Sequence, residues 1–249
     1  MESSNPTLKG DIFSKARAVV GSGQTMTIQG TINKTFILFG VLLLAAGWSW
    51  NLPVAMKAYV YTPMASIMMF VVSFGLGFAI YKNPQMSPTL APLYTAFQGI
   101  FVGVVSSFFE RMFPGIVIQA VGLTFAVMFV MLIAYRTGWI QATPRLRAGI
   151  FIATMAIMVF YFVVSIARAF GIHPPGFLYQ GTMLGIGVSL FVVGIATLNL
   201  ILDFDLIERA SQEGLEKYME WYGAFALMAT LIWLYMEILN LLQKLNRRN

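Results

Sequence analysis

The 249-residue chain contains no cysteine and a single histidine, His173. Disulfides and thiolate chemistry are excluded, and a histidine-rich metal centre is out of reach. Charge is also scarce. Asp, Glu, Lys and Arg make up 10% of the residues, against about 25% in an ordinary soluble domain. The opening stretch 1–20 lacks the apolar run of a cleavable signal peptide, so no leader is expected. The net charge of +6 is not arranged as a basic stripe interleaved with aromatics, which argues against nucleic-acid binding.

What is abundant is apolar. Hydrophobic residues form 58% of the chain, more than a water-soluble fold of this size could hide. A bilayer core about 30 Å thick takes roughly 20 apolar residues per helix. Seven such runs are drawn, at 35–50, 63–81, 90–109, 115–135, 147–170, 181–202 and 221–242. The pattern predicts an all-α membrane protein, a seven-transmembrane-helix bundle in contact with the lipid bilayer. Residues 1–33 form a polar cytoplasmic N-terminal segment, 34–243 the transmembrane domain and 244–249 a basic C-terminal tail.

Lys and Arg set the orientation. With the N-terminus cytoplasmic, ten lie inside (Lys9, Lys15, Arg17, Lys34, Lys82, Arg136, Arg145, Arg147, Arg209, Lys217) and six outside. Seven spans then place the basic tail outside. Small residues in the second run (Ser73, Gly75, Gly77) and the sixth (Gly185, Gly187, Gly194) are expected to let helices pack closely.

Function in such a chain is sought in its few intramembrane polar groups. Glu237 lies inside LIWLYMEILNLL, where a carboxylate costs roughly a few kcal/mol unless it is protonated, paired or facing water. Thr230, Trp233, Asn240 and Lys244 share its helical face, giving a polar stripe. That stripe fits a lined pathway, and it fits a structural hydrogen bond or a pair with an arginine such as Arg168. Asp203 ends the sixth run, with Asn199 one turn earlier on the same face. Asp205 points about 200° away from Asp203 on one helix, so the two form no dyad. Either aspartate fits the bundle interior or a hydrated interface. Glu110-Arg111 reads as a membrane boundary, and Gln98 and Gln119 as interhelical hydrogen-bonding residues. Catalysis is poorly supported. A zinc protease helix needs His-Glu-x-x-His, a Ser–His pair would have to join Ser189 to a histidine held in a Pro-rich loop, and Gly-x-Gly-Asp is absent.

The segment LILDFDLIERASQEGLEKY at 200–218 resembles the end of helix six in Bax inhibitor 1 family proteins, with Asp203, Ile207, Gly214 and Tyr218 at matching spacing. LYMEILNLL at 234–242 resembles that family's helix-seven motif. MTIQGTINKT from Met26 and PGIVIQAVGLTF from Pro114 are similar to its prokaryotic branch. The resemblance implies a bundle with helix seven at its centre. It implies a non-enzymatic, pH-sensitive calcium leak channel in a bacterial plasma membrane, needing no cofactor, with calcium as the permeant ion. Asp203 and Glu237 would face each other as pH sensor and transient calcium ligands, closed when they share a proton and opened by repulsion when both are charged. Asn199, Asn240, Asp205 and Arg168 would support them. The chain departs from the family in having Glu where Asp is common, and in lacking an arginine in helix two. From Gly214 back to Asp203 is about 16 Å of helix. The two acids are level only if helix seven starts late, near 221–223, or if the intervening segment forms its own turn. A second reading is a non-conducting membrane regulator whose N-terminal segment docks a partner such as a membrane-bound protease. A third is a proton-coupled transporter. The chain is expected to be a monomer or a weak oligomer.

Overall fold

A computed structural model describes residues 25–60, 62–172 and 181–248. The polar stretch before residue 25 and the His173-Pro174-Pro175 break lie outside the described residues. Among those described, the chain forms eight α-helices: α1 (Ile28–Trp50), α2 (Val54–Val60), α3 (Pro63–Lys82), α4 (Ser87–Met112), α5 (Ile116–Arg136), α6 (Pro144–Ala169), α7 (Met183–Gln212) and α8 (Met219–Asn246). Six helical stretches are long and apolar enough to cross a membrane: α1, α4 with its preceding turn, α5, α6, α7 and α8. In α3 the apolar stretch Ile67–Lys82 is shorter.

Local chemistry explains the helix starts. Thr27, Thr62, Thr143 and Thr182 cap α1, α3, α6 and α7, each side chain accepting a backbone N–H of the first turn. Such a cap satisfies one of the four N–H groups that a helix start leaves open. Pro63 and Pro144 follow two of these caps, where a missing N–H costs nothing. Because Thr27 is the cap, α1 begins at Ile28, one to two turns before the apolar run at 35. At its other end, the Lys57 ammonium donates to the Trp50 carbonyl, placing a cation at a helix C-terminus. The short α2 around Lys57 has no counterpart in the sequence reading.

The core joins Leu38, Met228, Leu200, Ile201, Leu234 and Leu239. α8 packs against α1, α4, α5 and α7, while α6 lies between α3 and α7. α3 and α6 meet through the stacked rings of Phe70 and Phe162, 4.8 Å apart. Large apolar side chains such as Phe36, Leu44, Ile118, Ile133 and Val163 stand outward, as a surface solvated by lipid requires.

Helix approach is tightest between α1 and α4, and of the small residues expected to allow it Gly77 meets Phe225 while Gly185 is buried. A Cβ on Gly103 would sit 2.2 Å from the Ala46 carbonyl oxygen, and one on Gly99 2.7 Å from that of Leu42. The α1–α4 pair therefore owes its contact to two glycines of α4. Gly75, Gly187 and Gly194 have nothing within 4 Å of a modest side chain.

Candidate functional site

α7 and α8 form an antiparallel pair around the turn at Gly214, whose φ is +62°. Their register is fixed by three contacts. Ile207 packs against Gly223, Thr230 stands beside Asp203, and Ser189 accepts from Lys244 at 2.7 Å. α6 closes one side of this seam, its Thr154 hydroxyl accepting from the Asn199 amide at 2.9 Å. Most of the polar groups singled out in the sequence lie along this one seam.

At the end that carries the Gly214 turn, Asp203 is 8% exposed. Its Oδ2 is buried and has no hydrogen-bond partner among the described residues. Asp205 is also buried, so the hydrated interface is not its place. Arg147 of α6 bonds both of its oxygens, at 2.9 and 2.8 Å, and Arg209 reaches it at 3.1 Å. The Arg147 Nε–H donates to the Ala142 carbonyl at 2.7 Å, so the guanidinium is locked in place. One turn on, Tyr135 donates to Glu208.

Glu237 lies further along α8 and is 4% exposed. The Tyr161 hydroxyl donates to it at 3.2 Å and the Trp233 indole at 3.3 Å. Arg168, offered by the sequence as a partner, lies exposed in the last turn of α6. The expected face-to-face pair of acids is not formed. Thr230, the neighbour of Asp203, precedes Glu237 by seven residues, about 10 Å of helix. α8 starts at Met219, which carries Glu237 roughly 27 Å along its helix, while Asp203 is about 16 Å from the turn. A shared proton between these two carboxylates is not available in this arrangement, and their repulsion acts across about 10 Å of helix.

A cavity of about 390 Å³ opens between α6, α7 and α8 at the end away from the turn. Ile157, Phe160 and Val192 form part of its apolar wall. Its polar lining comes from Tyr161, Ser189 and one face of α8, namely Glu237, Asn240, Gln243 and Lys244. Hard oxygen donors here suit a cation, and the lysine opposes one. Among the described residues no cluster of three or more Asp, Glu or His side chains is placed to hold a metal ion.

Sequence reasoning missed Glu220, which is fully buried. Its Oε1 accepts from the Thr27 backbone N–H at 3.1 Å and from the Thr27 hydroxyl at 3.0 Å, and pairs with Lys217 at 2.8 Å. A Cβ on Gly30 would lie 1.9 Å from that oxygen, so the glycine makes room for the carboxylate. An acid of α8 thus sits on the positive N-terminal end of α1. The signal was present in part: Thr27 and Gly30 read as a helix start, but nothing in one dimension links them to Glu220. Glu110 acts similarly, accepting from the N–H groups of Gly115 and Val117 at the start of α5. Gln98 bonds within its own helix, to Tyr94 at 3.0 Å, not across helices.

A comparison with curated proteins finds no match. The family described as Bax inhibitor 1 like matches residues 5–247, nearly the full length, and takes in both helices that carry Asp203 and Glu237. This multi-pass membrane protein belongs to the Bax inhibitor 1 like family.

Proposed function

We propose that the chain is a pH-regulated leak for calcium in a bacterial plasma membrane, with Asp203 and Glu237 as two successive cation stations. The observation that carries this reading is the buried Asp203 carboxylate, whose Oδ2 lacks a partner among the described residues. A carboxylate oxygen left bare inside a bundle is costly for stability. Its retention is accounted for if the oxygen takes up a proton or a cation. The seam supplies the rest of a route: Asp203, Thr230, Asn199, Glu237 and Asn240 follow one another along α7 and α8 towards the cavity. In this reading α3 is the seventh span, α8 is the central helix, the N-terminus is cytoplasmic and no reaction is catalysed.

The two carboxylates hold no proton in common, because about 10 Å of α8 lies between them. With a proton on Asp203 the station is neutral and has no hold on a divalent ion. Without it, the charge attracts calcium into the seam. Purified protein in liposomes tests this. Calcium flux that changes with pH supports the reading, and absence of flux at acidic, neutral and mildly basic pH would sink it.

One observation favours the alternative of a membrane regulator. Met26 donates its N–H to the Leu215 carbonyl at 2.6 Å, and Thr25 bridges to Glu216. Residues 25 and 26 are thereby anchored to the α7–α8 turn, and in this alternative the segment before them docks a membrane-bound protease. Deleting residues 1–24 separates the readings: a channel keeps its flux, while a pure regulator loses its partner and never conducts.

A further inference from the structure

The cavity between α6, α7 and α8 holds one feature that a simple cation route does not need. Lys244 lies two turns beyond Glu237 on the same face of α8, about 10 Å along the axis. A lysine in the last turn of a membrane helix ordinarily extends its ammonium to the interface. This one turns inward and is buried. It donates to the Gly185 carbonyl at 3.1 Å and to the Ser189 hydroxyl at 2.7 Å, both on the first turns of α7. The backbone leading into α7 comes close to α8 here, since a Cβ on Gly181 would stand 2.6 Å from the Lys244 carbonyl oxygen. Glu237 is the carboxylate lining the same cavity, with Asn240 between the two charges.

We infer that Lys244 is a tethered counter-ion for Glu237, a built-in cation that sets how readily a mobile cation enters the cavity from this end. The inference rests on the leak reading above and names the residue that limits that leak. The sign and place of the charge set the effect. An ammonium carried about 10 Å along the helix axis from Glu237, taken at that separation in a medium of effective dielectric near 20, disfavours a monovalent cation at the station roughly tenfold. The same field acts twice on a divalent ion, so calcium is disfavoured on the order of a hundredfold. Removing the charge therefore changes the two fluxes unequally, which a loosened bundle would not do.

The test is paired calcium and potassium flux through the full-length protein in liposomes, for wild type, Lys244→Gln, Lys244→Arg and the double variant Glu237→Gln/Lys244→Gln. The expected result is a rise in calcium flux with Lys244→Gln of about tenfold or more, exceeding the rise for potassium. Lys244→Arg keeps the wild-type ratio, and the double variant loses the gain. Unchanged flux with Lys244→Gln overturns the inference while the leak reading stands. An equal rise for both ions also overturns it, marking Lys244 as packing alone. Absence of flux from every protein removes the leak reading and this inference with it. Should Lys244→Gln fail to fold, Ser189→Ala frees one of the two anchors of the ammonium. It is expected to give a smaller rise that still favours calcium, and no change there overturns the inference.

Discussion

Thr230, not Glu237, stands beside Asp203 across the seam between α7 and α8. That single relationship changes the chemistry available to the bundle. Two acids that shared one proton would titrate as a pair. Two acids separated by about 10 Å of helix carry separate charges and separate neighbours. Asp203 has a bare oxygen, whereas Glu237 is held by a phenol and an indole.

The Arg147–Asp205 pair is predicted to hold α6 against α7. Both side chains are below a tenth exposed. Arg147→Ala should lower stability by about 3–5 kcal/mol, because it leaves a buried carboxylate short of its main partner. Arg147→Met combined with Asp205→Leu should recover most of that loss. Thermal unfolding in detergent checks both, and a single variant as stable as wild type would contradict the assignment.

Glu220 is predicted to pin the start of α1. Glu220→Ala removes the acceptor for two Thr27 donors and should cost about 1–3 kcal/mol. The effect should be local as well. Hydrogen exchange at the amides of residues 27–31 should speed up, with Glu220→Gln giving a smaller change. Unaltered exchange there would show that α1 is held by packing alone.

The α1–α4 contact is predicted to tolerate no side chain at Gly103. Gly103→Ala brings a Cβ within 2.2 Å of the Ala46 carbonyl, and overpacking of this kind costs roughly 1–3 kcal/mol or more. Gly75→Ala, at a site open to its surroundings, is the control and should be near neutral. Size-exclusion profiles and melting curves of the two variants provide the comparison.

Much of the bundle was legible in one dimension because lipid imposes a length. The runs at 63–81, 115–135 and 221–242 fall within one to four residues of α3, α5 and α8. Helix starts were less legible, since they depend on caps. Thr27 moves α1 earlier, and α4 begins at Ser87 in spite of Pro88 and Pro92. The polar stripe of α8 was readable from spacing alone, and Glu237, Asn240 and Lys244 do line one cavity. What spacing could not supply is register between helices. Whether Asp203 meets Glu237 or Thr230 depends on where α8 starts after Gly214. By spacing Asp205 fits an interior or an interface equally, and its burial rests on Arg147, distant in sequence. Glu220 was hidden for the same reason.

The most direct test of the account is calcium flux into liposomes carrying wild type or Asp203→Asn, compared across acidic, neutral and mildly basic pH. The account predicts pH-dependent flux in the wild type and a flattened dependence in Asp203→Asn, with the variant still folded. Wild-type liposomes that pass no calcium at any pH, or an Asp203→Asn variant that keeps the full pH dependence, would contradict it.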